Sequence, residues 1–182
     1  MCPSGHVPLT PERYARSRVS RSAGSDVWRD TVHDTQDHPT DGVVVGFDGS
    51  EAAAAAVEWA ATQAVRTGGR LDLVTAWEFP TSWGNVIPLP DDFDPAADAK
   101  AMLDPLVERI EGAHPGLAVH AHVIEGNASE VLVGASRHAA LLVVASRGHG
   151  TFSGMMLGSV SQHCVTHADC PVVVYRKPDP AA

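Results

Sequence analysis

The residues best suited to chemistry lie in one glycine-rich stretch, Ala145-Ser146-Arg147-Gly148-His149-Gly150-Thr151-Phe152-Ser153-Gly154-Met155-Met156-Leu157-Gly158-Ser159. It leaves an apolar run and enters a short helical pattern. Its glycines therefore let backbone N–H groups approach an anion, and the positive end of the following helix dipole, at Gly158 to Ser161, favours a phosphate there. The hydroxyls of Ser159 and Ser161 add donors. A glycine-rich loop that merely turns the chain has the same composition, and composition does not separate the two readings.

Other uses of glycine fail on spacing. A P-loop needs Gly-Lys-Ser or Gly-Lys-Thr, yet the only lysines are Lys100 and Lys177, both outside the segment, which excludes Walker-type NTPase chemistry. Gly148-His149-Gly150 starts like a dinucleotide fingerprint, but Ser153 stands at the third glycine position and the segment follows a late strand. Gly150, Gly154 and Gly158 mimic a membrane helix-packing pattern without an apolar stretch long enough to span a bilayer. Gly150-Thr151-Phe152-Ser153-Gly154 has the wrong spacing for a nucleophile elbow.

The remaining reactive side chains are scattered. His163 and His167 stand at i, i+4 with Cys164 and Cys170 nearby, but no Cys-x-x-Cys pair supports zinc, so the expectation is a solvent-facing histidine pair, small thiols and no metal. His120 and His122 read likewise as a solvated strand face. No catalytic residue is assigned. His149 or Asp48 could orient a water toward a terminal phosphate, which leaves slow hydrolysis of a bound phosphoanhydride or autophosphorylation of Ser159 or Ser161 as the enzyme alternative.

The elements that must position this segment alternate between strand and helix. Val43 to Val45 form a short apolar run ending in Gly46 to Ser50. Ser50 can cap a helix marked by Val57, Ala60, Ala61, Ala64 and Val65, which Gly68-Gly69 terminates. Leu71 to Trp77 is the second strand, after which Pro80, Pro88, Pro90 and Pro95 imply a long surface loop until about Ala96. The next helix carries Ala99, Met102, Leu103, Leu106, Val107 and Ile110, and Pro105 inside it predicts a kink or break near Asp104. Leu117 to Ile124 alternates as strand three. Asn127 and Glu130 resemble a capping box opening a helix to about His138, and Leu141 to Ala145 is strand four. A short helix from about Gly158 to His167 precedes strand five, Val172 to Tyr175. This alternation implies right-handed crossovers and a mostly parallel sheet covered on both faces, with ligands at the C-terminal strand ends.

The bulk numbers agree with one such domain. The chain has 182 residues, 44% of them hydrophobic, and no apolar run approaches a bilayer span. No secretory signal is visible, and Cys2, Cys164 and Cys170 make an odd count that suits reduced thiols, so a cytoplasmic protein is expected. Residues 1–40 balance five arginines against five acids and have too little apolar surface to offset ordering, and they read as a disordered tail; residues 178–182 read as a short tail. The net charge of -9 thus falls on the rest of the chain, a surface that repels nucleic acid and anionic lipid. Many arginines, few lysines and abundant alanine suit a GC-rich bacterial source.

Gly148 followed, after nine intervening residues, by Gly158-Ser159 resembles the nucleotide motif of the universal stress protein family. Val43-Val44-Val45-Gly46-Phe47-Asp48-Gly49-Ser50 resembles the family's first strand. Leu-Gly-Ser-Val-Ser and the later Cys-Pro-Val-Val-Val resemble its end, so the likeness covers about residues 41–177. The resemblance implies a Rossmann-like α/β fold, a five-stranded parallel sheet of order 3-2-1-4-5, and a homodimer through the last strand, Val172 to Tyr175. It further implies ATP as ligand, with or without Mg²⁺, and a role as a stress-response signalling or binding module acting on a protein partner of unknown identity. Asp48 would lie beside adenine and ribose, and Ala76 and Val144 would line the adenine pocket. Gly148, His149, Gly158, Ser159, Val160 and Ser161 would surround ribose and phosphates. Ala145 stands where the family has the first glycine of Gly-x-x-Gly and adds a methyl group there. That departure keeps a further alternative open, a dimeric interaction protein that binds no nucleotide.

Overall fold

A computed structural model describes residues 42–78, 94–148 and 157–177. The expected tails, most of the proline-rich loop, His149 and the middle of the glycine-rich segment lie outside them. The element order is β1 (Val43–Gly46), α1 (Glu51–Thr67), β2 (Leu71–Trp77), α2 (Pro95–Ala113), β3 (Val119–Glu125), α3 (Ala128–Ser136), β4 (Leu141–Ala145), α4 (Ser159–His167) and β5 (Val172–Tyr175). The described strands pair in parallel, as their alternation with helices implies, in the order β3-β2-β1-β4-β5 that the family resemblance implies.

Local chemistry sets the element ends. The Ser50 hydroxyl accepts from the Ala53 N–H at 3.1 Å and opens α1, and Gly68, with φ 68, closes it in the left-handed conformation that glycine adopts without strain. Asp94 caps α2 through the N–H groups of Ala96 and Ala97, with Pro95 at the first helical position, where its missing N–H costs nothing. Asn127 caps α3 through Ser129. Each of these three helices thus starts on a side-chain cap.

Two apolar layers enclose the sheet. On one face α1 and α2 lay Ala53, Ala56, Val57, Ala60, Ala61, Ala64, Leu103, Leu106 and Ile110 on Val43, Val45, Leu71, Leu73 and Val143. The alanine face of α1 lets its backbone sit close to the central strands. On the other face α3 and α4 contribute Leu132, Ala135 and Cys164 to a layer with Val44, Val74, Ile124, Leu142 and Val144. Alternating residues of each central strand therefore serve opposite layers, as in a sheet buried on both faces.

Two sequence expectations require correction. The break near Asp104 does not occur: α2 runs unbroken through Pro105. Pro105 and Ala101, the residue whose carbonyl it leaves unbonded, are both exposed, while Leu103, Leu106, Val107 and Ile110 bury the opposite face. Lys100 and Asp104 add an i, i+4 ion pair at 2.7 Å across the preceding turn.

The second correction concerns His120 and His122, which are not a plain solvated face. The His122 side chain is only 10% exposed, and its Nε2 lies 3.2 Å from Oδ1 of Asp72. Asp72, on the neighbouring strand, is itself 4% exposed. His120, opposite Asp72 in the β2–β3 register, remains half exposed. His163 and His167 do conform to expectation, their rings stacked at 4.2 Å near the α4 surface. Burial pushes the Cys164 thiol up to about 11 and raises that of Cys170, so both behave as packing groups.

Candidate functional site

The chain leaves β1 toward α1 on one face and leaves β4 toward α4 on the other, and β1 and β4 are neighbours. The diverging connections open a crevice above the C-terminal strand ends, where doubly wound sheets bind ligands. Asp48, Gly148 and the start of α4 all lie at this edge.

The β1 exit is held in place by a residue that sequence reasoning did not single out. The Thr75 hydroxyl, buried in β2, donates to the Phe47 carbonyl at 2.9 Å, and the Phe47 N–H donates to Val74. Asp48 then turns out of the sheet, with Oδ1 accepting from the Ser50 N–H at 3.0 Å and Gly49 at φ 85. Its other carboxylate oxygen rests on Gly148, so a Cβ at Gly148 would overlap that oxygen. Two segments a hundred residues apart in sequence meet at this contact.

The entry to α4 is braced through Ser146, also missed from sequence. The Ser146 N–H donates to the Tyr175 carbonyl at 2.7 Å, and its carbonyl accepts from the Gly158 N–H at 2.9 Å. This closes the glycine-rich segment at its base. Ser161 is 2% exposed, and its hydroxyl lies 2.9 Å from the Gly158 carbonyl and 3.4 Å from that of Ser146. It therefore acts as an internal brace and offers a ligand only its backbone N–H. Ser159 is exposed. Gly158 is the N-cap of α4 and makes no side-chain cap bond, unlike the caps of α1, α2 and α3. The first-turn N–H groups and the positive dipole end of α4 are left for an anion.

The other expected site residues are distributed around this edge. Ala76 is half buried near the end of β2. Val144 is 3% exposed within the α3–α4 layer, so its side chain belongs to the core. Val160 packs partly on the same layer. His149 lies outside the described residues. At the rim, Glu51 and Lys177 form an exposed ion pair that holds the Glu51 carboxyl below its ordinary range.

Ala145 is the last residue of β4, opposite Tyr175, and its methyl group packs on the α1–α2 layer. Extended backbone accepts a side chain at little cost. Ala145→Gly is therefore expected to leave nucleotide affinity within about threefold, while lowering stability by roughly 0.5–1 kcal/mol. Calorimetric titration with ATP and thermal melting check the two effects, and a gain of tenfold or more in affinity would show that the methyl group obstructs the ligand.

A family model described as the universal stress protein family matches residues 40–176. A universal stress protein of Mycobacterium tuberculosis is 35% identical over 135 residues, which is 74% of this chain and 47% of the relative. Another from the same organism is 34% identical over 143 residues, covering 76% of this chain and 48% of the relative. The chain thus spans about half the length of the curated relatives it matches. Among solved structures, a universal stress protein in complex with cAMP is 28% identical with a TM-score of 0.56, covering 74% of this chain and 94% of that one. An Arabidopsis thaliana family protein with AMP bound shares the fold at 21% identity and a TM-score of 0.55, over 77% of this chain and 94% of that one.

Proposed function

The chain belongs to the universal stress protein family, and from that premise we propose that it is an ATP-binding module that acts through occupancy and not through turnover. The observation that carries this reading is the contact of the Asp48 carboxylate with Gly148 beside an α4 N-terminus that has no side-chain cap. The carboxylate suits ribose hydroxyls, which donate to it, and the open first turn suits phosphate oxygens, which accept from it. The solved relative that carries cAMP supports an adenine nucleotide as the ligand class. On the same reading Mg²⁺ neutralises the outer phosphates of ATP, and a stress-response partner reads the resulting change in the glycine-rich segment.

Association of two chains through β5 belongs to the same proposal. β5 ends the sheet order, and its four residues are all partly buried, a half-covered edge suited to a second copy.

The deciding experiment is to denature protein purified without added nucleotide and identify the released small molecule by chromatography and mass. ATP or ADP near one per chain is expected, together with a solution mass twice the 19.1 kDa of one chain by light scattering. An empty protein that also gives no heat with ATP and Mg²⁺ would overturn the binding reading and leave a ligand-free interaction protein. Sustained phosphate release over many turnovers would instead identify an ATPase.

A further inference from the structure

We propose that Asp72, His120 and His122 form a binding site for a divalent transition metal of the zinc class, at the end of the sheet opposite the nucleotide crevice. Asp72 is the second residue of β2, whereas the crevice lies beyond the last residues of the strands. Asp72 Oδ1 is 3.2 Å from His122 Nε2 and 3.4 Å from His120 Nδ1, and the three donor atoms all lie within 4.8 Å of one another. A tetrahedral ion with bonds of about 2.0–2.2 Å holds its ligands roughly 3.3–3.6 Å apart. The two separations lie within about 0.1 Å of that range, and a small rotation of the half-exposed His120 brings in the third.

The arrangement comes from strand geometry. Asp72 and His120 are register partners, and His122 lies two residues along the same strand, so all three project from one face of the sheet. Arg70 donates from Nε to Asp72 Oδ2 at 2.9 Å, which orients the carboxylate and leaves Oδ1 directed at both rings. Ligating carboxylates are commonly held by such an outer partner. The same guanidinium repels a cation and limits the affinity.

The donor set selects the ion. Two imidazoles and one carboxylate suit Zn²⁺, Co²⁺, Ni²⁺ or Cu²⁺, whereas Mg²⁺ and Ca²⁺ prefer oxygen ligands throughout. On binding, each neutral ring presents a lone pair at the coordinating nitrogen and carries its proton on the other one. The exposed side of His120 admits water to the remaining coordination position.

The test uses the full chain, stripped with chelator and titrated with Zn²⁺ and, for the visible spectrum, Co²⁺. One Zn²⁺ per chain at ~10 μM or tighter is expected, with a tetrahedral Co²⁺ band and a rise in melting temperature. His120→Ala and His122→Ala should each weaken Zn²⁺ about 30-fold or more and abolish the Co²⁺ band. His120→Ala keeps the test decisive even if His122→Ala misfolds, because His120 is half exposed. The double variant His163→Ala/His167→Ala should bind as the native chain does. Native-like Zn²⁺ binding by His120→Ala, loss of binding in the α4 double variant, or no uptake by the native chain would each overturn the proposal.

Discussion

Asp72→Ala is expected to lower the stability of chelator-treated protein by about 3 kcal/mol at pH 7, read as a fall in the urea midpoint at unchanged slope. The carboxylate is 4% exposed and accepts from Arg70, with two histidine rings within reach. Burial alone would raise its pKa; the histidine hydrogen bonds and the Arg70 charge bring it well below the ordinary value of 3.8. A carboxyl whose folded pKa is depressed contributes stability that is fully present above its unfolded pKa and is lost as pH falls toward the folded one. The gap between native and variant should therefore hold from pH 7 to about pH 5 and shrink below pH 4. A variant as stable as the native chain at pH 7, or a gap that widens below pH 4, would show that the buried cluster does not support the fold.

Gly148→Val should weaken ATP binding about 30-fold or more, roughly 2 kcal/mol, with little loss of stability. A Cβ at Gly148 overlaps the Asp48 carboxylate, so that side chain must swing away from the crevice, and the added methyl groups occupy its mouth. Asp48 is exposed and the displaced atoms are the end of its side chain, so the core is untouched. Calorimetry with ATP and a melting curve separate the two effects. Unchanged affinity with an unchanged melt would place the nucleotide elsewhere.

The two corrections share a physical origin. Periodicity describes what one segment does on its own, and it located every described strand and helix to within a few residues. Pro105 predicts a kink or a break because proline removes a helical hydrogen bond, and the break is avoided where the orphaned carbonyl faces water. Only the packing of α2 reveals that it does. His120 and His122 looked like a solvated face because the alternation of β3 assigns them away from its apolar side. The opposite face of β3 is not water at Asp72, and the parallel register with β2 decides that. An acid inside the apolar run Leu71-Asp72-Leu73-Val74 was the available signal, since a charge in a buried strand calls for partners. Thr75 in the same run carried a similar signal.

The sequence by itself determined the alternation of strands and helices, the Ser50, Asn127 and Gly68 helix ends, the glycine-rich segment and the family, because caps, periods and motif spacing are local properties of neighbouring residues. Only the tertiary structure decided which distant residues meet. It set Asp48 on Gly148, laid the Ala145 methyl group against the α1–α2 layer, turned Ser161 into a brace, and gathered Asp72, His120 and His122 around one oxygen. Those contacts follow from strand order and register, which arise when whole faces of the sheet are buried together and are not encoded in any single segment.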